Sequence, residues 1–434
     1  MYEHTPYRPH GHAVIVDPYS SGAQLAPAFA KRGVPVTAVM TAKTPPTVYA
    51  SSYRPGDFKQ IIIADGDLAG LAQQVAELDP RCVLAGCESG VELAEQLAPL
   101  VVPTMANVAE LAKARRHKGH MAAAVAAAGL PSIRQICSSD AEQVADWIAS
   151  SGLTGRDLVI KPPKSASTDG VTLVPHGADW HKVFDSMLGS PNRLGLVNDV
   201  LVVQEFAKGI EYVVDTFSHD GVHTVTDVCR YGKVHNGGFM AIYDTMEWLS
   251  PDHPAVAGLV SYARAVLDAV GVRFGAAHIE IMQATDGPRL IEIGARPHGG
   301  GQPRFCLLAT GDSQVERTAR YFAGDRDIPP SYQLLTHTLV VFHKARAEGH
   351  VGDTTRLGEI KALPTYYESV HNFAAGDRIR TTTDLFGSLD LGFIVLNGAH
   401  CGQIWRDYEK IRAAEADIFV YDRKETAVLL EARP

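Results

Sequence analysis

The chain has 434 residues, of which 46% are apolar and 21% are charged, an ordinary composition for a large globular protein. Together these values exclude a disordered or collagen-like chain and predict several packed subdomains. The 40 Lys and Arg residues against 49 Asp and Glu residues give a net charge of −9, so no general basic surface for nucleic acid is expected. No secretory signal pattern and no apolar run of ~20 residues is present, which favours a cytoplasmic protein without a membrane partner.

Residues 1–106 alternate between strand-like and helix-like patterns. Apolar runs at 12–17, 34–40, 60–65 and 82–87 predict buried strands, and the segments between them predict helices. This alternation predicts an α/β lobe with a parallel sheet. Glu88 follows the fourth strand, at the edge where open α/β sheets bind ligands. It is therefore a candidate substrate contact, although a neighbour of a helix N-cap fits the pattern as well.

The rest of the chain divides into sections 107–200, 201–330 and 331–434. The first contains a helical segment with Lys118, then the strand DLVIKPP with Lys161, then the loop KSASTDG at 164–170. Hydroxyls and backbone N–H groups of such a loop can surround phosphate oxygens. Section 201–330 has two strands joined across a turn at 208–209, a helix, and two further paired strands. The last section has its own strands and a terminal helix.

Glu280 and Glu292 carry the clearest chemical signal. The segment HIEIMQATDGPRLIEIG predicts a β-hairpin whose turn is Asp286-Gly287. Period-2 alternation places the isoleucines at 279, 281, 291 and 293 on one face and both glutamates on the other, roughly opposite each other. Opposed like charges destabilise a ladder unless a cation lies between them, and paired carboxylates suit Mg²⁺ on phosphate oxygens. Two solvated glutamates on an exposed face are the alternative.

Four motifs in this order resemble an ATP-grasp carboxylate–amine ligase. They are KGHMAAAVAAAGLP, VIKPPKSASTDGVTLV, VVQEFAKGIEYVVDTF and HIEIM…RLIEIGARPHGG, within about 107–311. The final section, with AAGDRIRTTTDLFGSLDLGFIVLNG, resembles the L-amino-acid ligase (dipeptide synthetase) branch. The resemblance implies an α/β chain (α+β overall) with an ATP-grasp fold. It further implies an N-terminal parallel lobe at 1–106, ATP-grasp subdomains at 107–200 and 201–330, and a mixed C-terminal lobe at 331–434.

The resemblance also implies which residues bind ATP. Two lysines contact the phosphates, a mobile loop closes over them, a hinge reads adenine through its backbone, and an acid binds the ribose. In this order the corresponding residues are Lys118 and Lys161; Ser165, Ser167, Thr168 and Gly170; Glu205, Phe206 and Ala207; and Glu211.

Glu280 and Glu292 correspond to the ligands of Mg²⁺, with Mn²⁺ as another option. Arg296 and Lys161 correspond to catalytic cations that face the transferred phosphoryl group. Gly294 stands where many ATP-grasp enzymes have Asn, which leaves a third protein ligand open.

The implied reaction phosphorylates an amino acid carboxylate with ATP and then couples the acylphosphate to an amine, releasing ADP and phosphate, and a second amino acid is the expected amine. Small-molecule amino acid substrates are expected, and a homodimer is a possible assembly. Asp244 or Glu247, within 233–251, could hold an ammonium group unless that segment is a solvated loop. His278 shares a strand face with Glu280, and Gly300 lies in a glycine run that leaves room for a bulky substrate.

Two other functions stay open at this point. One is an ATP-grasp ligase or carboxylase of another substrate class, although no biotinyl-lysine context such as A-M-K-M occurs in the chain. The other is a catalytically silent nucleotide-binding regulator. The retained Lys161, Glu280, Glu292 and Arg296 argue against the regulator.

Overall fold

The computed structural model describes residues 11–165, 168–236 and 239–422. Its N-terminal part is a parallel sheet with the strand order β3-β2-β1-β4, which confirms the predicted α/β lobe. Side chains of this sheet pack against the helices from both faces. The elements are β1 (Ala13–Val16), α1 (Leu25–Ala30), β2 (Val36–Met40), β3 (Gln60–Ile63), α2 (Leu68–Ala76), β4 (Cys82–Ala85) and α3 (Val91–Val101).

A second sheet is antiparallel and has the order β5-β8-β6-β7. Its elements are α4 (Lys118–Ala127), β5 (Gln135–Ser138), α5 (Ala141–Ser150), β6 (Leu158–Lys161), β7 (Thr172–Val174), α6 (Trp180–Met187) and β8 (Leu201–Glu205). The helix predicted from 107 onwards is interrupted, because Ala109–Arg115 forms 3₁₀ turns and the α-helix begins only at Lys118. The His117 side chain caps this helix by accepting from the backbone N–H groups of Gly119 and His120.

The largest sheet contains eight antiparallel strands in the order β13-β12-β9-β10-β11-β14-β18-β16. The strands and helices of this region are β9 (Ile210–His219), β10 (Val222–Asn236), β11 (Phe239–Trp248), α7 (Val256–Ala269), β12 (Gly275–Ala284), β13 (Gly287–Gly294), α8 (Pro303–Thr310), α9 (Gln314–Ala323), β14 (His337–Phe342), β15 (Gly349–Val351), α10 (Arg356–Lys361), β16 (Tyr366–His371), β17 (Arg378–Ile379), α11 (Leu385–Leu391), β18 (Gly392–Gly398), α12 (Cys401–Ile418) and β19 (Phe419–Tyr421). Strands β15, β17 and β19 form a small separate sheet.

Two features of this sheet differ from the sequence expectations. The strands on either side of the turn at 208–209 do not pair, because β8 belongs to the four-stranded sheet and β9 to the eight-stranded one. The segment 233–251, for which a solvated loop was one expectation, lies mostly in the β10–β11 pair. The eight-stranded sheet takes strands from both sides of residue 330, and the three boundaries between the four proposed domains stay predictions.

Helix α7 covers one face of the large sheet and explains why β9 and β12 are so apolar. Leu259, Ala263 and Val266 of α7 are fully buried in one cluster with Ile279 and Ile281 of β12. This packing fixes β12 as a rigid element, and the opposite face of the same strand is left to line a cleft. None of the helices in the described ranges combines the length and hydropathy that a membrane crossing needs.

Candidate active site

A cleft of about 1300 Å³ lies between the four-stranded and the eight-stranded sheets. Most of the site residues predicted from the sequence line it, although they come from separate segments. Those residues are Lys118, Lys161, Ser165, Thr168, Phe206, Ala207, Glu211, His278, Glu280, Glu292, Arg296 and Gly300. Ser167 lies outside the described residues. Roles in binding or catalysis remain predictions, but their convergence on one cleft is a property of the fold.

Glu280 on β12 and Glu292 on β13 are directly opposed in the ladder, as the hairpin pattern predicts. The turn itself differs from the expectation: Ala284 pairs with Gly287, so the turn residues are Thr285 and Asp286. The two strands are therefore unequal in length between turn and glutamate. A β-bulge next to Glu280 absorbs the extra residue.

Because of the same bulge, one isoleucine lies on the face opposite to the one predicted. Ile279, Ile281 and Ile293 are fully buried against α7, whereas Ile291 lines the cleft beside Glu292. Ile281 pairs with Leu290, so Ile291 is the bulged residue. Strict alternation cannot hold on both sides of a bulge, because the additional residue shifts the phase of the strand.

Lys118 and Lys161 place positive charge beside the two carboxylates. Lys118, the first residue of α4, is 95% buried, and its Nζ lies 3.0 Å from Glu292 Oε2. This placement rules out the surface position that is common for helix lysines. Burial, together with the nearby Lys118 charge, lowers the pKa of Lys161 at the end of β6 to about 8. A bound polyanion would relieve that repulsion, so the pair suits phosphate oxygens.

The same cleft contains most of the predicted adenine and ribose contacts. Phe206 and Ala207 line the cleft, but the Glu205 carboxylate turns away and accepts from Arg134 Nε at 2.8 Å. A backbone role for the hinge is compatible with this arrangement. The Glu211 carboxylate accepts from Lys233 Nζ at 2.6 Å, which satisfies a buried charge that would otherwise be costly.

The loop after Lys161 is held by the C-terminal part of the chain. Thr168 Oγ1 accepts from the backbone N–H of Leu385, the first residue of α11, at 3.2 Å. Gly170 does not line the cleft; its φ is +71°, and a Cβ there would lie 2.9 Å from Pro162 Cδ. Its role is thus conformational, since only glycine fits both the backbone angle and the contact.

Arg296 is fixed by an acid from the N-terminal lobe. Its Nε donates to Glu88 Oε2 at 2.9 Å and its Nη1 to the carbonyl of Pro297 at 3.0 Å. The other Glu88 oxygen lies 3.1 Å from Arg116 Nη1. Burial opposes the charge of Glu88, but Arg116 and Arg296 hold its pKa below the usual range. Both Glu88 oxygens therefore face arginines, and because Glu88 also lines a second cleft, described below, its role as a substrate contact stays a prediction.

Arg116 was not singled out by the sequence, although the Arg-Arg pair two residues before Lys118 is a visible cluster of positive charge. A second group that the sequence left largely unnoticed surrounds Asp215 on β9. Asp215 Oδ1 accepts from His278 Nδ1 and Oδ2 from His298 Nδ1, both at 2.8 Å. The His278 Nε2 atom lies 3.3 Å from Glu280 Oε1. His278 is thus held between two carboxylates.

The carboxylates determine the charge of these histidines. Burial alone would lower the pKa of His278, but the Asp215 charge and the two hydrogen bonds raise it to about 9. The His278 hydrogen bond offsets the burial of Glu280 and brings its pKa to about 2. The potential ligand atoms of Asp215, His278 and His298 lie within 4.8 Å of one another. Since both Nδ1 atoms already donate to Asp215, the trio fits a hydrogen-bonded support for Glu280 better than a metal site.

Asp244 and Glu247 do not line the cleft, and their role in holding a substrate stays a prediction. A register shift around Asp244 in the β10–β11 pair turns its side chain toward the C-terminal region. There it accepts from Tyr408 Oη at 2.7 Å and from Arg412 Nη2 at 2.7 Å. Glu247 pairs with Arg230 across the ladder. Met246 does line the cleft.

A second, outer cleft of about 2840 Å³ meets the first at the turn after β13. Arg296, Gly299 and Gly300 line both clefts. Gly300 has a φ of +65°, and its N–H donates to Ser20 Oγ of the N-terminal lobe at 3.0 Å. The turn thus joins the large sheet to the first lobe, and a molecule in either cleft reaches the same arginine.

Comparison with known proteins shows the family. Residues 154–303 match the family model described as ATP-grasp domain. The chain is 31% identical over 308 residues to dapdiamide A synthase from Enterobacter agglomerans, which covers 71% of this chain and 72% of that protein. It is 25% identical over 178 residues to the L-arginine-specific L-amino acid ligase of Bacillus subtilis, with 41% and 42% covered.

Solved structures show the same fold at lower identity. The L-amino acid ligase from Bacillus licheniformis superposes with a TM-score of 0.71 at 16% identity, over 96% of this chain and 100% of that one. The carboxyaminoimidazole ribonucleotide synthase from Aspergillus clavatus complexed with ATP gives a TM-score of 0.66 at 14% identity, over 94% and 99%. With the cleft and the matched domain, these similarities show that the chain belongs to the ATP-grasp superfamily of ATP-dependent carboxylate–amine ligases and resembles its L-amino-acid ligase branch.

Proposed function

We propose that the protein activates the carboxylate of one amino acid as an acylphosphate and couples it to the amine of a second amino acid, releasing ADP and phosphate. The observation that carries this proposal is the convergence at Arg296. The nucleotide cleft with its lysines and paired glutamates and the outer cleft open on the same guanidinium. Phosphoryl transfer from ATP to a carboxylate requires such a meeting point, because both reactants are anions that need a shared cation.

The donor set at the glutamate pair fits Mg²⁺. Glu280 and Glu292 face each other across the ladder, and one oxygen of each is already oriented, by His278 and by Lys118 respectively. Carboxylate oxygens are the ligands that Mg²⁺ prefers when it also binds phosphates. The ion would neutralise charge on the terminal phosphates of ATP. Gly294 lies opposite His278 and offers no side-chain ligand, so water or phosphate oxygens would complete the coordination.

The remaining residues of the cleft position the reactants. Phe206 and Ala207 would contact the base, and Lys118 and Lys161 would neutralise phosphate oxygens. Arg296 would face the γ-phosphoryl group and the acceptor carboxylate, where a planar donor can contact both. Closure of the loop that bears Ser165 and Thr168 would exclude water, which otherwise hydrolyses an acylphosphate.

A phosphate-release screen tests this function. Purified protein with ATP and Mg²⁺ is given amino acids singly and in pairs, and phosphate and peptide are measured together. We expect phosphate release that requires ATP and is strongest with particular pairs, matched by an equal amount of peptide. Bicarbonate-dependent release without peptide would indicate a carboxylase. Tight ATP binding without release under any condition would indicate a nucleotide-binding regulator.

A further inference from the structure

His298 lies where the two clefts meet and has no role in the steps described so far. It follows Arg296 by two residues and precedes the glycine turn that both clefts share. Its ring is 94% buried but lines the nucleotide cleft. The backbone N–H of His298 donates to Gln314 Oε1 at 2.8 Å, which fixes the position of the residue.

The partners of the two ring nitrogens define the protonation state of His298. Nδ1 lies 2.8 Å from Asp215 Oδ2, and because a carboxylate only accepts, Nδ1 carries the hydrogen. Nε2 lies 3.0 Å from the Tyr231 hydroxyl, which is then the donor to it. His298 and Tyr231 both line the cleft, and a carboxylate-oriented histidine with an accepting second nitrogen is the arrangement that enzymes use for a general base.

The charges around the ring favour this neutral form. His278 stacks against His298 with the ring centroids 4.0 Å apart, and its two nitrogens face Asp215 and Glu280. Arg296 adds a positive charge nearby, and Asp215 is the anion that faces the ring. Burial lowers the pKa of His298 in spite of Asp215. The imidazole is therefore unprotonated and able to accept a proton at neutral pH.

We infer that His298 is the general base of the coupling step, an inference that rests on the proposed ligase function. The lone pair of the attacking amine forms the C–N bond to the acylphosphate carbon, and one N–H proton passes to His298 Nε2 in place of the Tyr231 hydroxyl hydrogen. The bond between the acyl carbon and the bridging phosphate oxygen breaks, and its electron pair leaves with the phosphate. The proton on Nε2 then passes to that phosphate, so a neutral amine yields the amide and hydrogen phosphate.

Hydroxylamine separates this step from carboxylate activation, because it traps acylphosphates as hydroxamates without a catalytic base. For each variant, hydroxamate formation and peptide formation are measured with the same carboxylate substrate and ATP. The variant His298→Asn keeps an amide N–H that can reach Asp215 but has no group at the Nε2 position. The variant His298→Gln offers an amide oxygen as acceptor that cannot take up a proton.

We expect both variants to form hydroxamate at nearly the wild-type rate and to form peptide ~10²-fold more slowly or worse. His223→Gln is the matched control, since this buried histidine bonds Ser218 and Asp268 away from the cleft and should leave both rates unchanged. An equal fall in hydroxamate and peptide formation, or no fall in either, would overturn the role of His298. Failure of the wild-type protein to form any hydroxamate would instead refute the proposed function.

Discussion

Arg296→Lys is the substitution that best separates a catalytic arginine from a structural one. Arg296 bonds Glu88 through Nε and the Pro297 carbonyl through Nη1, and it lines both clefts. A lysine ammonium can replace the contact to Glu88. It cannot keep that contact and also present a planar donor to the phosphoryl group and the acyl oxygen. The variant therefore preserves the charge of the site but not its geometry.

The magnitude follows from what is lost and what is retained. Loss of one preorganised donor to a developing charge typically costs ~10²–10³-fold in kcat, and an interaction made mainly in the transition state lowers kcat and kcat/KM together. Glu88 keeps Arg116 at 3.1 Å, so no buried carboxylate is left without a partner. The free energy of unfolding should accordingly change by only about 1 kcal/mol. ATP affinity, for which we propose the hinge and the two lysines, should stay within a few-fold.

Steady-state kinetics, calorimetric ATP titration and urea unfolding on the same preparation test these expectations. Arg116→Lys is the matched control. Arg116 contacts the same Glu88 but lines neither cleft, so kcat of this variant should be unchanged. A folded Arg296→Lys protein with wild-type kcat would remove Arg296 from catalysis. Weakened ATP binding together with a large loss of stability would assign it a structural role instead.

Three further predictions concern the products, the metal pair and acid stability. Nucleotides separated by chromatography after turnover should be ADP and not AMP, because the proposed reaction transfers the terminal phosphoryl group of ATP to the carboxylate; AMP formed in step with peptide would refute the acylphosphate. Glu292→Gln should lower kcat ~10²-fold at saturating Mg²⁺, whereas Glu368→Gln, which loses a partly exposed ion pair to Arg304, should not. Burial opposes the charge of Glu415, but Arg412 and His343 bring its pKa to about 2, so its ~3 kcal/mol of stabilisation at neutral pH should be lost as the pH falls from 4.5 to about 2. Urea unfolding across that range should show the gap between wild type and Glu415→Gln closing; a constant gap would contradict this account.

The parts of the fold that local patterns control could be predicted from the sequence. The four strands of the first lobe are short apolar runs, and the opposition of Glu280 and Glu292 follows from alternation on both sides of a turn. Alternation fails at the bulge, because the extra residue that moves Ile291 into the cleft is required by pairing and not by composition. The order of the four separated motifs still predicts the fold in spite of this local error, because that order is a property of the whole domain and not of one hairpin.

Contacts between distant segments could not be predicted in this way. Glu88 was a reasonable substrate contact at the end of β4, but its partners Arg116 and Arg296 come from other parts of the chain. The partners of Asp244 could not be predicted for the same reason, because Tyr408 and Arg412 lie on the last helix. In a sequence, charge and a position near a strand end make an acidic residue a candidate substrate contact. Only the fold shows whether a cationic side chain of the same chain already pairs with that residue.

The segment from Glu280 to Gly300 shows how one hairpin can serve both halves of a ligation. β12 and β13 carry Glu280 and Glu292, the proposed metal ligands, and the chain leaving β13 carries Arg296, His298 and the glycine turn in close succession. Because α7 packs against this hairpin, the ladder fixes the spacing of the two glutamates, while bonds to Glu88 and Asp215 hold Arg296 and His298 beyond its end. In the proposed reaction, activation and coupling would then need no rearrangement of these groups, only the arrival of the amine from the outer cleft. Thr168, which lines the same cleft, accepts from the backbone N–H of Leu385 in the C-terminal part of the chain, so a region distant from the hairpin also bonds to a residue of the cleft.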